Sequence, residues 1–352
     1  MTIIGNKDSS RPKITVYLSR DLAAYGFHSH GVRWIQLLKD AEHQLSSQMT
    51  KVKARKIVEP LWRLQLSELV GDGKASIAIF HTPESTGILR IPLDIPDRIV
   101  VADSFHIKPI LYWVQRDPKF YLLALDSKVV RLFRGSAAGI QLVREVRKPV
   151  IQSDERLSRG ARTRGSHHEL KKRDTQAFFQ MAEREFRSII GKDRDPVIVA
   201  GVNTLIPIYR KVNRDPDLVS EFIAGSPSMW TTQELQDKSN EILGKLFENE
   251  RDHTLNEFGE AEPKGKASVE LPKIIQAAHS GQIRQLIIAD DLNLWGSFDA
   301  KNGDVHLNSQ KIGAEDDVLD DLAEIVLTRG GRVMTLPVAQ MPHSEPVAAI
   351  FK

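Results

Sequence analysis

Residues 120–143, FYLLALDSKVVRLFRGSAAGIQLV, contain the pattern that decides the fold of this 352-residue chain. Two runs rich in apolar and β-branched residues, 119–125 and 128–134, are separated by an Asp-Ser pair typical of a tight turn. They predict a β-hairpin, and a third strand is predicted at 139–143. The segment therefore indicates an antiparallel sheet built from neighbouring strands.

The residues after the hairpin predict how that sheet is covered. Positions 144–169 hold almost no apolar side chains, and a loop of this length is typically functional. Apolar residues that include Phe178 and Met181 then recur at helical spacing and predict a buried helix face over 169–190. The continuous apolar run PVIVAGV at 196–202 is typical of a strand covered on both faces.

The flanking sections also alternate strands with helices, which indicates layered α/β domains. At roughly 150 residues per domain, the length favours two or three of them. Thr231 and Glu234 have the spacing of a capping box and predict the start of a helix. Further helices are predicted at 32–45, 271–279 and 316–327, and further strands at 14–18, 75–80, 88–91, 283–289, 332–336 and 347–351.

The composition excludes several classes of site. The chain has no cysteine, which excludes disulfides, thiolate metal sites and cysteine nucleophiles. The formal net charge is only +3, so the total charge favours no class of partner. No signal peptide, membrane-spanning run or nucleotide-binding motif is visible. We expect a soluble, cytoplasmic protein with no membrane partner, no cofactor and no resident metal.

Three parts of the sequence resemble one known superfamily. The hairpin segment, the basic loop and the strand PVIVAGV resemble the middle domain of archaeal and eukaryotic peptide-chain release factors and of their relative Pelota. Residues 283–299, IRQLIIADDLNLWGSFD, and the acidic helix that follows resemble the third domain, and residues 89–111 resemble the first. Over nearly its whole length the chain resembles the bacterial members, the bacterial archaeo-eukaryotic release factors.

The resemblance implies a specific α/β architecture of three domains. It places an N-terminal domain at 1–115 and a middle domain at 116–215, with a ribonuclease-H-like core and a basic loop at 144–173. The C-terminal domain would occupy 216–352, begin with a helical linker at 216–268, and resemble ribosomal proteins that bind kinked RNA.

The segment between positions 144 and 173 concentrates positive charge. It holds ten basic and four acidic residues, a net charge of +6. Because Arg and Lys contacts to phosphate dominate nucleic-acid affinity, we predict that this segment binds ribosomal RNA or tRNA. A solvated loop with no ligand is the alternative interpretation. The candidate RNA-binding residues are Arg156, Arg159, Arg162, Arg164, Lys171, Lys172 and Arg173.

The corresponding loop of the release-factor family carries Gly-Gly-Gln, which positions water against the ester of peptidyl-tRNA. Here the loop has Gly160 and Gly165, followed by His167 and His168, but no Gly-Gly-Gln. The adjacent pair Gly330-Gly331 is better explained as the end of a helix. The missing motif argues against peptidyl-tRNA hydrolysis, and no catalytic residue is assigned. A loop histidine acting as a general base or stacking on a nucleotide is the alternative.

Four carboxylates in the last section predict an acidic surface. Their spacing puts them on one helix face near its N-terminus, where the helix dipole favours negative charge. That dipole alone explains them, and a basic protein partner or a divalent cation is the alternative. Negative charge here argues against RNA binding by the last domain. The residues are Asp316, Asp317, Asp320 and Asp321.

These patterns lead to three hypotheses of function. The first is a translation-associated factor that binds the ribosome or tRNA in release, rescue or a stress response. The second is a protein-interaction scaffold that has lost ribosomal function. The third is a nuclease or other hydrolase on the ribonuclease-H-like core, which requires clustered carboxylates that the sequence does not reveal.

Overall fold

The computed structural model divides the chain into two compact units. One unit comprises Met1–Gln115 with Arg251–Lys352, and the other comprises Arg116–Glu250. In the described ranges, no helix is long and apolar enough to cross a membrane. The structure describes residues 12–19, 22–65, 75–136, 139–149, 164–299, 304–308 and 316–352.

The secondary structure elements alternate along the whole chain, and the mixed α/β class is confirmed. The N-terminal elements are β1 (Lys13–Leu18), α1 (Leu22–Ser46), α2 (Lys51–Trp62), β2 (Ser76–Thr82), β3 (Ser85–Ile91), β4 (Arg98–Ala102) and α3 (Lys108–Arg116). The middle elements are β5 (Phe120–Leu125), β6 (Val129–Ser136), β7 (Gly139–Arg147), α4 (Arg164–Ile190), β8 (Val197–Gly201), α5 (Ile206–Val212), β9 (Leu218–Ala224) and α6 (Thr232–Ala261). The C-terminal elements are β10 (Ala267–Ser268), α7 (Leu271–His279), β11 (Ile283–Ala289), β12 (Trp295–Phe298), β13 (Val305–Leu307), β14 (Asp316–Asp317), α8 (Val318–Thr328), β15 (Arg332–Leu336) and β16 (Val347–Phe351).

The first unit contains three sheets. An antiparallel sheet has the order β3-β2-β1-β4, and α1 and α2 contribute Trp34, Leu38 and Val58 to its buried core. A second sheet has the order β10-β16-β11-β15, in which β11 and β15 are parallel. A small third sheet has the order β13-β12-β14. Apart from the pairs β1–β2 and β2–β3, neighbouring strands in the two larger sheets are not consecutive in the sequence.

A buried polar network joins the start of α8 to the segment before α3. Oδ1 of Asp320 accepts hydrogen bonds from the main-chain N–H groups of Ile107 (2.9 Å) and Lys108 (2.8 Å). Its Oδ2 lies against Nδ1 of His106. Arg98 can only donate to Nε2 of His106, at 3.1 Å, so it is Nδ1 that carries a proton and donates it to Asp320.

Two more carboxylates of this region have partners inside the first unit. Asp317 caps α8 by accepting from the N–H of Leu319 at 3.2 Å, and it pairs with Nζ of Lys108 at 2.5 Å. Glu324 pairs with Nζ of Lys13 at 2.7 Å. The carboxylates therefore bind cations and N–H donors of the same unit.

The prediction of an exposed acidic face for a protein partner is wrong for Asp317 and Asp320, because both side chains are fully buried. Asp321 accepts a hydrogen bond from Ser104. Of Asp316 the structure describes the backbone, in β14. Negative charge at this helix start stabilises the unit internally instead of forming an outer surface.

The second unit has a five-stranded sheet in the order β7-β6-β5-β8-β9. Strand β6 is antiparallel to β5 and β7, whereas β5, β8 and β9 are parallel. This order, with only the second strand reversed, is the ribonuclease-H-like topology that the resemblance implies. The predicted hairpin is confirmed, and Thr231 and Glu234 form the reciprocal hydrogen bonds of the predicted capping box.

Helices cover both faces of this sheet. Phe178, Phe179 and Phe186 of α4 pack with α5 against one face. Leu235 and Ile242 of α6 pack against the other. The predicted burial of Met181 is wrong, because this side chain is 37% exposed beside the buried stripe of α4.

The predicted three-domain division at residues 115 and 215 stays a prediction. Strand β9 and the first half of α6 lie beyond residue 215, in the same unit as the middle sheet. Within 216–268, where we expected a helical linker, the structure therefore has a strand and a packed helix.

The adjacent glycines end α8, as expected. The N–H of Gly330 donates to Leu327 O and that of Gly331 to Val326 O, which is the Schellman pattern. Gly330 has φ +79°, a left-handed conformation that favours glycine. These glycines have a structural role at the end of a helix.

We expect Gly330→Ala to lower the free energy of unfolding of the first unit by about 1–2 kcal/mol, because a Cβ is strained in the left-handed region. Gly259→Ala is the control: Gly259 is exposed within α6, has no neighbour within 4 Å of an added Cβ, and should gain about 0.5–1 kcal/mol from alanine. Urea unfolding followed by tryptophan fluorescence measures both. Equal effects of the two substitutions would contradict the assignment.

We expect Asp320→Ala to destabilise the first unit by about 3–5 kcal/mol, because it leaves buried N–H donors unpaired. Asp94→Ala, at an exposed position, should change the stability by less than about 0.5 kcal/mol. The same urea titration compares the two variants. A loss for Asp320→Ala no larger than for Asp94→Ala would show that the network contributes nothing.

Candidate nucleic-acid interface

The predicted RNA-binding segment leads into α4. Arg156, Arg159, Gly160 and Arg162 lie outside the described residues. Arg164, Gly165, His167 and His168 lie in the first two turns of α4, which begins five residues before the predicted start at Glu169. The described part of the candidate site is therefore the first half of this helix.

The first half of α4 extends beyond the packed core. Thr175 is the first buried residue after the exposed run Glu169–Asp174. At 1.5 Å per residue, the eleven positions from Arg164 to Asp174 span roughly 16 Å. Among the side chains of α4 that the structure describes, those that pack in the core of the sheet begin at Phe178.

Three basic side chains lie on this extension. Lys171, Lys172 and Arg173 are all exposed. Among the described residues, none supplies a carboxylate within ion-pair distance of them. Three consecutive positions on a helix cover most of its circumference, so positive charge surrounds the extension.

Three other basic side chains that the structure describes in this segment are in ion pairs. Arg144 pairs with Glu185 on α4. Arg147 pairs with Glu145 at 2.8 Å. Lys148 pairs with Asp174 at 2.5 Å. The structure therefore separates Arg144, Arg147 and Lys148, which are paired, from the cations of the α4 extension, for which no described residue supplies a carboxylate.

A buried contact fixes α4 against α5. Tyr209 of α5 donates from its hydroxyl to Oε2 of Glu183, whose Oε1 accepts from the N–H of Arg214 at 3.2 Å. Burial, reinforced by the charge of Glu183, raises the pKa of Tyr209 well above its usual range, so this hydroxyl remains a donor. The exposed extension thus starts from a firmly held helix.

The central strands offer no carboxylates for metal-assisted hydrolysis. No side chain of β5 or β8 carries a carboxylate, as the sequences FYLLAL and VIVAG show. In the part of the chain that the structure describes, no three His, Asp or Glu side chains are grouped to hold a metal ion. The hydrolase hypothesis therefore has no described site on this sheet.

Two carboxylates near these strands are engaged with one arginine. Arg134 pairs with Asp193 at 3.1 Å and Asp195 at 3.3 Å, and its guanidinium lies 5.2 Å from the ring centre of Tyr121. Burial and a hydrogen bond to Asp193 raise the pKa of Tyr121 to about 12. Burial also raises the pKa of Asp195. This cluster ties β5, β6 and the start of β8 together.

One feature of the second unit is missing from the sequence analysis. Strand β9, LVSEFIA, borders a cleft of about 620 Å³ together with α6. Its Val, Phe and Ile residues are typical of strands, and they are the signal in the sequence from which β9 could be predicted. The polar Ser220 and Glu221 interrupt that pattern.

The second unit combines a ribonuclease-H-like sheet with a long helix that follows a basic segment. These are the two features that the resemblance implies for the middle domain of a release-factor-like protein. Residues 119–282, slightly less than half of the chain, match the family model described as Bacterial archaeo-eukaryotic release factor family 3. The resemblance to a release-factor-like family is confirmed over this segment. No curated protein matches the chain.

Solved structures of three related factors resemble the chain at low identity. Dom34 of S. cerevisiae, a translation termination-like factor, has 12% identity and a TM-score of 0.46, with 76% of this chain and 73% of that chain covered. Pelota of Archaeoglobus fulgidus has 16% identity and a TM-score of 0.31, with 79% of each chain covered. A ribosome-bound archaeal Pelota has 10% identity and a TM-score of 0.44, with coverages of 76% and 72%.

Proposed function

We propose that the protein is a translation-associated factor that binds the ribosome or tRNA in release, rescue or a stress response. The contact would be made by the basic segment 144–173, through the loop arginines and the α4 extension. The observation that carries the proposal is the exposed cluster Lys171, Lys172 and Arg173 on a helix that extends from the packed core of the matched segment. Such a factor acts where ribosomes are, in the cytoplasm.

The position of the charges supports a binding role over a role in stability. The first turn of α4 contains no acidic residue. Lys171, Lys172 and Arg173 lie beyond the first turn, where the helix dipole has little effect on α4. They are exposed and gain no ion-pair partner among the described residues, so they add little to the stability of the helix. RNA phosphates would supply the missing negative charge.

The proposal does not include peptidyl-tRNA hydrolysis. Gly-Gly-Gln is absent from the sequence, and Gly330-Gly331 end α8. A factor of this type would occupy the ribosome or its tRNA without cleaving the ester. Its effect would come from binding and from excluding other ligands.

We expect wild-type protein to cosediment with 70S ribosomes at 50 mM salt and to dissociate steeply towards 200 mM. Replacing Lys171, Lys172 and Arg173 by Glu should abolish cosedimentation, because phosphate contacts become repulsive. Replacing each by Ala should lower the slope of log affinity against log salt by roughly 0.7–0.9 per contact. The loop changes Arg159→Glu, Arg162→Glu and Arg164→Glu should act in the same direction.

The matched control changes two lysines and one arginine on an exposed helix of the other unit. Lys53, Arg55 and Lys56 of α2 are exposed, and their replacement by Glu changes the net charge equally. This variant should keep most of its ribosome affinity. Equal losses of ribosome affinity in the two triple variants would show that only the total charge matters. That result would contradict a specific contact by Lys171, Lys172 and Arg173.

We expect little or no release of peptide from peptidyl-tRNA in ribosomal complexes containing the wild-type protein. The charge-reversal variants should therefore change ribosome binding without changing a catalytic rate. Release of labelled peptide, followed by precipitation and counting, provides the measurement. Strong release that His167→Ala or His168→Ala abolishes, with ribosome binding intact, would instead identify a hydrolytic site of another design.

A further inference from the structure

The cations of the α4 extension form a ring around the helix. Lys171, Lys172 and Arg173 are consecutive and exposed, so their main-chain positions lie within about 3 Å of one another along the helix axis. Each residue of an α-helix is rotated by about 100° from the one before it. Lys171 and Arg173 are therefore about 200° apart and project from nearly opposite sides of the helix.

Carboxylates separate these two sides of the extension. In projection down the helix axis, the exposed Glu169 lies between Lys172 and Arg173. Asp174 lies on the other flank, between Arg173 and Lys171. A phosphate backbone that wrapped around the helix would have to pass a carboxylate on either route. The extension thus has two cationic sides, one with Lys171 and Lys172 and the other with Arg173.

The width of the helix keeps the two cationic sides apart. An α-helix with its side chains is about 10–12 Å across. A phosphate backbone that lies along one side is therefore separated from the cations of the other side by the helix itself. An RNA that contacts the whole ring has to place a phosphate backbone on each side of the extension.

An exposed apolar side chain lies between the two cationic sides. Leu170 is 53% exposed, and it is rotated by about 60° from Arg173 in projection down the axis. In proteins that bind nucleic acids, Leu is one of the apolar side chains inserted between partly unstacked bases. Leu170 therefore suits an RNA region in which the stacking of bases is interrupted.

We propose that the α4 extension inserts into the widened groove of a bulged RNA helix, between its two phosphate backbones. Lys171 and Lys172 contact one backbone, Arg173 contacts the other, and Leu170 contacts bases at the bulge. The major groove of regular A-form RNA is deep and narrow, so a helix of this width needs the bulge to enter. The inference rests on the proposed function, because it specifies the shape of the RNA that the same segment binds.

The test measures binding of the full chain to three labelled RNAs by fluorescence anisotropy. The first is a hairpin with a bulge of a few unpaired nucleotides, the second is the same hairpin without the bulge, and the third is a single-stranded oligouridine. We expect the bulged hairpin to bind at least about tenfold more tightly than either of the other two, because it alone offers two backbones around an accessible groove.

Single replacements distinguish two backbones from one. On the bulged hairpin, Lys171→Ala and Arg173→Ala should each lower the slope of log affinity against log salt by about 0.9. On oligouridine, Lys171→Ala should lower it by about 0.7 and Arg173→Ala should not change it, because one strand lies along the side with two lysines. Arg55→Ala, at an exposed position of α2, is the control and should change neither slope.

A further variant tests the contact with bases separately from charge. Leu170→Ala should reduce the preference for the bulged over the regular hairpin at least about threefold, because it removes the apolar wedge. It should leave the salt slope unchanged, because no charge is lost. Alanine has a high helix propensity, so this variant keeps the extension helical.

The results separate this inference from the proposed function. Wild-type protein that binds none of the three RNAs and does not cosediment with ribosomes would contradict both. Wild-type protein that cosediments with ribosomes but shows no preference for the bulged hairpin would contradict only the insertion. The same conclusion would follow if Arg173→Ala lowered the salt slope equally on oligouridine and on the bulged hairpin, or changed neither.

Discussion

The first unit depends on the hydrogen bonds of one buried carboxylate, that of Asp320. It is fully buried at the start of α8 and is bound by two main-chain N–H groups and His106. A buried charge is costly unless it is paired and hydrogen-bonded, so these contacts favour one conformation of the segment before α3. Asp317 and Lys108 add a second buried ion pair at the same helix start. Together these contacts join parts of the chain more than two hundred residues apart.

Local patterns in the sequence predict most of the fold, whereas long-range contacts are invisible there. The hairpin of β5 and β6 and the capping box at Thr231 depend on neighbouring residues, and both are confirmed. The spacing of Asp317 and Asp320 is that of an exposed helix face. Their burial depends on contacts with His106 and Lys108, which are far away in the sequence. Strand β9 was missed because Ser220 and Glu221 break its apolar pattern at the edge of the sheet.

The candidate site is predictable in part for the same reason. Net charge locates the basic segment, but it does not distinguish cations held by nearby carboxylates from cations without one. Arg144 and Lys148 pair across β7 and α4 with partners well separated in sequence. Lys171 and its two neighbours are distinguished only by where the packed face of α4 begins, at Thr175. The sequence thus indicates a charged region, and the packing identifies which side chains are available to a ligand.

The insertion of one unit into the sequence of the other has a consequence for synthesis. Residues 116–250 form a continuous unit, whereas the first unit needs residues from both ends of the chain. As the chain leaves the ribosome from its N-terminus, the inserted unit is complete about a hundred residues before its host. Until α8 has been synthesised, His106 and Lys108 lack the carboxylates that they bind in the folded unit. The nascent chain therefore contains every strand of its ribonuclease-H-like sheet before it contains α8 of the first unit.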